Sequence, residues 1–198
     1  KRYLIEELDV EVPVDVVPAT TSVDKFQPGP NEVEHRLLTV GRLTEKKGIR
    51  YALEAVSELV EEYPTLSYHI VGTGEEEAAL NRRVDQLGIG DAVEFLDNVS
   101  DDRLLREYDE ASVFVLPCVI AANGDRDVMP VVLKEAMAME TPCVSTTVSA
   151  IPELIEDGTN GLLVPPHDPD SLARAIQPLL NDRDLRERLG SAGRRTIE

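Results

Sequence analysis

Two acids, Asp127 and Glu135, stand eight positions apart in Asp127-Val128-Met129-Pro130-Val131-Val132-Leu133-Lys134-Glu135. On an α-helix that interval is about 12 Å of rise. Carboxylates that share one glycosidic bond sit roughly 5–9.5 Å apart. The spacing therefore does not suit acid–base work on one bond. It suits the two ends of one long ligand, with a phosphate between them at a helix N-terminus, where free amides and the helix dipole favour anions. In isolation the pair also reads as a loop acid and a solvated helix acid, so the rest of the chain must decide.

Positive charge and tight turns recur elsewhere. Gly41-Arg42 is followed by Lys46-Lys47-Gly48, a small basic cluster in a chain with 38 acids and 20 bases. Glycine permits a sharp turn, and cations beside a helix N-terminus add to its preference for anions. Gly72-Thr73-Gly74-Glu75 reads either as a phosphate nest or as a tight strand-to-helix turn. It lacks the third glycine of a dinucleotide fingerprint, and no G-x-x-x-x-G-K-[ST] is present, which excludes a P-loop. His35, His69 and His167 show no ligand spacing. Cys118 and Cys143 form neither a metal motif nor a disulfide framework, and each reads as a small buried hydrophobe. No metal site is expected.

These groups need elements to hold them. Residues 1–12 read as a helix end leading to a strand over 12–17, and residues 18–36, rich in Pro, Gly, Thr and Asn, as a connecting loop. Apolar strands are expected from Arg36 to Leu43, Ser67 to Gly74, Val93 to Leu96, Val113 to Leu116, Cys143 to Ser145 and Gly161 to Val164. Helical spacing follows each. Ile49, Ala52, Leu53, Val56, Leu59 and Val60 share a face, as do Leu80, Val84 and Leu87 with Gly88 as the stop. Ser100 caps a helix carrying Leu104, Leu105 and Tyr108. From Met129 onward Val132, Leu133, Ala136 and Met137 align. A short helix follows at Ile151 to Ile155. Asp168-Pro169 opens a helix with Leu172, Ala175, Ile176 and Leu179, and a last one from Asp182 uses Leu185 and Leu189. Six strand–helix alternations with short links predict an α/β fold, a doubly wound six-stranded parallel sheet. In such a sheet the glycine turns, the basic cluster and the acid pair all fall at the carboxyl edge, where ligands bind.

The net charge of −18 over 198 residues bounds the partners. Repulsion argues against nucleic acid and against anionic membranes. The lysines are few (Lys1, Lys25, Lys46, Lys47 and Lys134), and adaptation to high salt, which screens the repulsion, is one expectation. No apolar run reaches the roughly 18 residues of a membrane span, and Lys1-Arg2-Tyr3-Leu4-Ile5 lacks a signal-peptide core. The start on Lys1 and the helical pattern at Thr196-Ile197-Glu198 suggest a segment of a longer, cytoplasmic protein.

Five motifs occur in order: Val40-Gly41-Arg42-Leu43 with Lys47-Gly48; Ile70-Val71-Gly72-Thr73-Gly74-Glu75; Phe95-Leu96-Asp97-Asn98-Val99-Ser100; the D-x7-E; and Ser149-Ala150-Ile151-Pro152-Glu153-Leu154 with Gly158, Asn160 and Gly161. This order and spacing resembles the C-terminal, donor-binding domain of the group 1 retaining glycosyltransferases (glycosyltransferase family 4, GT-B fold). The resemblance covers residues 14–190, and Val23-Asp24-Lys25-Phe26 resembles the lead-in loop of that family. It implies a Rossmann-like domain over residues 31–198, with residues 1–30 as the strand and loop arriving from an N-terminal domain.

The resemblance also implies a chemistry. The donor would be a nucleotide-diphosphate sugar, with no metal required, and the acceptor a glycan or lipid held by the N-terminal domain. Retention is thought to proceed by front-face attack, in which the donor phosphate helps to deprotonate the acceptor. Arg42 and Lys47 would neutralise the diphosphate, with Gly41, Gly72, Thr73 and Gly74 forming the turns beside it. Asp127 would contact the donor sugar, Glu135 the ribose, amides around Met129, Pro130 and Val131 the phosphate, and backbone near Val99 the base. The full-length enzyme would work on the cytoplasmic side, in polysaccharide assembly, and this segment alone would be inactive. Two positions depart from the family: Asp127 replaces a usual Glu, and Val128 a usual Gly. The loop 121–126 is longer than in many relatives, and its Gly124-Asp125-Arg126-Asp127 resembles a polysaccharide-assembly subgroup. A non-catalytic nucleotide-binding module and a sugar-nucleotide epimerase remain the alternatives.

Overall fold

The computed structural model of the chain describes residues 21–198. The helix end and strand expected over residues 1–17 lie outside the described residues. Six strands form one sheet: β1 (Arg36–Val40), β2 (Ser67–Val71), β3 (Val93–Leu96), β4 (Val113–Leu116), β5 (Cys143–Thr146) and β6 (Leu162–Val164). Every neighbouring pair is parallel, and the spatial order is β3-β2-β1-β4-β5-β6. The doubly wound six-stranded sheet expected from the alternation is the one observed.

The helices are α1 (Ile49–Leu59), α2 (Glu77–Leu87), α3 (Asp101–Glu110), α4 (Val131–Ala138), α5 (Ile151–Leu154), α6 (Pro169–Asn181) and α7 (Arg183–Ile197). They cover both faces of the sheet, which is why the strands are apolar throughout. Successive side chains go to opposite faces. Leu37, Val113, Val115 and Val144 pack with α1, α2 and α6. Leu38, Phe114, Leu116 and Cys143 pack with α3, α4 and α5. Both cysteines are free and buried.

The helix boundaries follow local chemistry. Ser100 Oγ accepts the Arg103 amide at 3.3 Å, Asp168 Oδ1 that of Ser171 at 2.9 Å, and Asp182 Oδ1 that of Leu185 at 2.9 Å. Gly88 ends α2 at φ 68. One boundary differs from expectation. The helix predicted from Met129 starts at Val131, because Pro130 is extended and serves as the N-cap position.

Two features outside the carboxyl edge bear on stability. Phe26, from the lead-in loop, is buried edge-on against Tyr108 with ring centroids 5.7 Å apart. Glu107 on α3 is fully buried. One of its oxygens lies 2.6 Å from His69 Nδ1 and the other accepts from Arg103 Nε at 2.6 Å. Burial pushes the Glu107 carboxyl up, but the hydrogen bonds from His69 and Arg103 outweigh it and hold the group below the usual carboxylate range.

Candidate functional site

From β1 the sheet grows one way to β2 and β3, then returns to place β4 on the other side of β1. The connections after β1 and β4 lead to helices on opposite faces of the sheet, so this carboxyl edge is the switch point at which open α/β sheets bind ligands. The basic cluster follows β1 and the acid pair follows β4, so the topology brings both to one cleft.

Gly41 turns the chain out of β1 at φ 155. A Cβ there would stand 3.3 Å from Lys47 Cε. The missing side chain makes room for the lysine stem, which is 9% exposed. Residues Glu45–Lys47 form a single 3-10 turn. This turn is joined to the β4–α4 loop by two hydrogen bonds: the Val119 amide donates to the Lys46 carbonyl at 2.9 Å, and the Ala122 amide to the Glu45 side chain, at Oε1, at 3.1 Å.

The charged groups then meet. Lys47 Nζ lies 2.7 Å from Asp127 Oδ2, while Lys46 Nζ lies 3.5 Å from Asp127 Oδ1 and 3.1 Å from Asp125 Oδ2. Oδ2 of Asp127 is closed to solvent and receives no hydrogen bond of suitable direction. Its compensation is the Lys47 charge at ion-pair distance, with Lys46 beside the other oxygen of the carboxylate. The Lys46 ammonium is held up from its ordinary value, chiefly by its hydrogen bond to Asp125, and the Asp125 carboxyl is correspondingly held down. The Arg42 side chain is exposed and, among the described residues, makes no hydrogen bond or ion pair, though its charge helps to hold the Asp125 carboxyl down. It is free to meet an anion.

Asp127 and Glu135 are not the eight helical steps apart that the sequence suggested. Asp127 is in the loop ahead of α4, not on it. Only the four steps from Val131 to Glu135 are helical, about 6 Å of rise. The two acids are separated by their surroundings. Asp127 faces the lysines, whereas Glu135 accepts a hydrogen bond from Tyr108 on α3 at 2.9 Å. Tyr108 is almost wholly buried, and burial together with the Glu135 charge keeps its hydroxyl protonated and donating. Lys25, paired with Asp101 at 2.8 Å, lies on the same side as Glu135.

At the start of α4 the amides of Met129, Val131 and Val132 have no acceptor among the described residues. Pro130, one of the expected phosphate-cap positions, has no N–H to give, so the donors there are its neighbours. The glycine turn after β2 is used differently. A Cβ on Gly72 would stand 2.1 Å from the Gly41 carbonyl oxygen, and one on Gly74 would stand 2.3 Å from that of Leu43. These glycines let the β1 and β2 loops touch, with the Leu43 amide donating to the Thr73 carbonyl at 3.0 Å. Val99, in the loop after β3, is half-buried and packs, like Leu96, against the core on the α3–α4 face of the sheet.

Three participants had no assigned role in the sequence reading. Tyr108 was visible only as an inward-facing residue of its helix, and Lys46 and Asp125 only as members of a basic cluster and a loop. Their partners come from other elements, and no spacing in the chain encodes those contacts.

Residues 21–196 match the family described as Glycosyl transferases group 1. Over 140 residues the chain is 41% identical to the putative colanic acid biosynthesis glycosyltransferase WcaL of Escherichia coli, a match that takes in 71% of this chain and 34% of that protein. The chain thus spans about a third of that relative. Among solved structures, it superposes on sucrose-phosphate synthase from Thermosynechococcus elongatus with a TM-score of 0.83 at 26% identity, covering 99% of this chain and 51% of that one. It shares its fold with Anabaena Alr3699/HepE, solved in complex with UDP and glucose, at a TM-score of 0.81 and 19% identity, covering 92% and 51%.

Proposed function

The chain belongs to the group 1 glycosyltransferase family, and on that premise we propose that it is the donor-binding domain of a retaining, family 4 enzyme that takes a sugar from a nucleotide-diphosphate donor. The observation that carries the reading is the cleft between β1 and β4. There a nearly buried Lys47 is paired with Asp127, in the loop that leads into a helix N-terminus whose first amides are free, and an exposed Arg42 lies on the loop after β1.

Each charge has a task in the proposed reaction. Breaking the sugar–phosphate bond leaves negative charge on the diphosphate. Lys47, Arg42 and the α4 amides would stabilise that charge in a partly water-excluded site, where fixed donors act more strongly than in bulk water. No metal enters this scheme, because the two cations and the helix N-terminus supply the positive field. Glu135, aimed by Tyr108, would take the ribose hydroxyls, and Asp127 would contact the sugar. Retention would follow from attack on the face the leaving group occupies, with a donor phosphate oxygen taking the acceptor proton. The acceptor, a glycan or a lipid-linked saccharide, would be held by a domain outside this chain, and the chain alone would bind donor without transferring sugar. The proposed setting is the cytoplasmic side of polysaccharide assembly. Likeness to a putative colanic acid biosynthesis glycosyltransferase supports the polysaccharide part of that setting.

Calorimetric titration of the chain with UDP, GDP, ADP and their sugars tests the reading, beside Arg42→Ala and Glu135→Ala. The expected result is binding of one base in preference to the others, with both variants weaker. Binding of none of them, or variants that bind like the parent, would overturn it.

A further inference from the structure

Lys47 has two claimants. In the structure its ammonium is 2.7 Å from Asp127 Oδ2, and the proposed donor needs it for phosphate. Its three N–H donors can reach both, but doing so draws the Asp127 carboxylate and the phosphate, two like charges, close together. When it turns to the ligand, a carboxylate with only 19% of its side chain exposed would be left beside an incoming phosphate anion. An unpaired, largely buried charge is strongly unfavourable, and like charges at close range repel. On these terms alone Asp127 would oppose donor binding.

Lys46 removes the conflict. Its side chain is 13% exposed, and it already lies 3.5 Å from the other Asp127 oxygen. Its backbone carbonyl is tied to the β4–α4 loop through Val119, and its ammonium also reaches Asp125, so it is held from both ends. We propose that Lys46 is a positioning residue that keeps Asp127 charge-compensated while Lys47 exchanges Asp127 for the donor's phosphates. The empty cleft is neutralised internally, with Asp127 standing where a phosphate oxygen will be. Binding then swaps one anion for another at Lys47 and leaves Asp127 on Lys46, oriented toward the sugar. Asp125 competes for Lys46 and sets how firmly it holds Asp127. This inference rests on the nucleotide-diphosphate reading of the cleft and assigns a role that neither residue spacing nor the family resemblance gives to Lys46.

A double-mutant cycle tests it, with UDP and GDP as calorimetric probes of the intact chain. Lys46→Met is expected to weaken binding of the preferred nucleotide by about tenfold, because Asp127 is then left uncompensated. Asp127→Asn alone is expected to tighten it by a few-fold, because Lys47 is released. The double variant Lys46→Met/Asp127→Asn is expected to bind at least as well as wild type, and Lys46→Arg to bind like wild type. Rescue separates positioning from the alternatives. If Lys46 touched phosphate directly or only held the fold together, removing the Asp127 charge would not restore affinity. A double variant as weak as Lys46→Met, a Lys46→Met that binds like wild type, or an Asp127→Asn that binds more weakly, would each overturn the proposal. If Lys46→Met fails to fold, Lys46→Gln alone and with Asp127→Asn runs the same cycle, and the same outcomes decide. Wild type that binds neither UDP nor GDP would instead overturn the reading of the cleft itself, and this inference with it.

Discussion

Replacing Gly72 by alanine separates a glycine kept for a ligand from one kept for the fold. Gly72 has φ +133, and its missing Cβ would stand 2.1 Å from the Gly41 carbonyl oxygen. That atom is backbone and cannot swing aside. Moving it pulls on two hydrogen bonds, Gly41 amide to Val71 carbonyl at 2.9 Å and Gly72 amide to Leu96 carbonyl at 2.8 Å. The strained backbone costs about 1–3 kcal/mol, overpacking about 1–3 kcal/mol, and each weakened bond about 1 kcal/mol. A total of about 4–8 kcal/mol is a large share of the roughly 5–15 kcal/mol that stabilises a domain. Gly88 is the control. It has φ +68, but no atom lies within 4 Å of its missing Cβ, so Gly88→Ala is expected to cost only about 1–2 kcal/mol of left-handed strain. Urea denaturation of the two variants and wild type, followed by far-UV circular dichroism, measures both. Equal midpoints for the two variants would refute the close-approach argument and return Gly72 to the list of ligand-facing residues.

Other perturbations probe separate parts of the molecule. Tyr108→Phe removes the 2.9 Å hydrogen bond to Glu135 and is expected to cost about 1 kcal/mol of stability. It should weaken a nucleoside diphosphate several-fold but leave pyrophosphate unaffected, and titration with the two probes checks this. The folded-state pKa of Glu107 is depressed, so its contribution is present above its unfolded value and is lost as pH falls through the folded one. Thermal melts are therefore expected to drop below pH 4.5, the ordinary value for this group. Glu107→Gln should flatten that acid limb while costing about 3 kcal/mol at neutral pH, because it leaves Arg103 without its counter-charge and disturbs the hydrogen bond to His69. The net charge of −18 predicts a melting midpoint that rises between low and molar KCl as repulsion is screened. A flat response would end the high-salt reading.

Much of the architecture was legible in the chain. The caps at Ser100, Asp168 and Asp182 act within three residues of themselves, and local hydrogen bonds of this kind are written in adjacent letters. The strands were legible because a sheet covered on both faces demands unbroken apolar runs. The start of α4 was misplaced by two residues, since Met129 continues the apolar pattern while Pro130 holds the chain extended. The glycine turn after β2 left two readings open because either use requires glycine. The carbonyls of Gly41 and Leu43 that occupy the space come from another strand's loop.

What the sequence determined by itself was the alternation of elements, and through it the edge of the sheet at which Arg42, Lys47, Asp127 and Glu135 would gather. Periodicity and caps are short-range properties, so they survive in one dimension. What only the tertiary structure decided was who pairs with whom. Lys47 meets Asp127 across 80 residues of chain, Lys46 is shared between two acids, and Tyr108 reaches Glu135 from another helix. Those contacts depend on β4 returning beside β1. The energy of an ion pair depends on distance and burial, and neither quantity exists until the sheet is assembled.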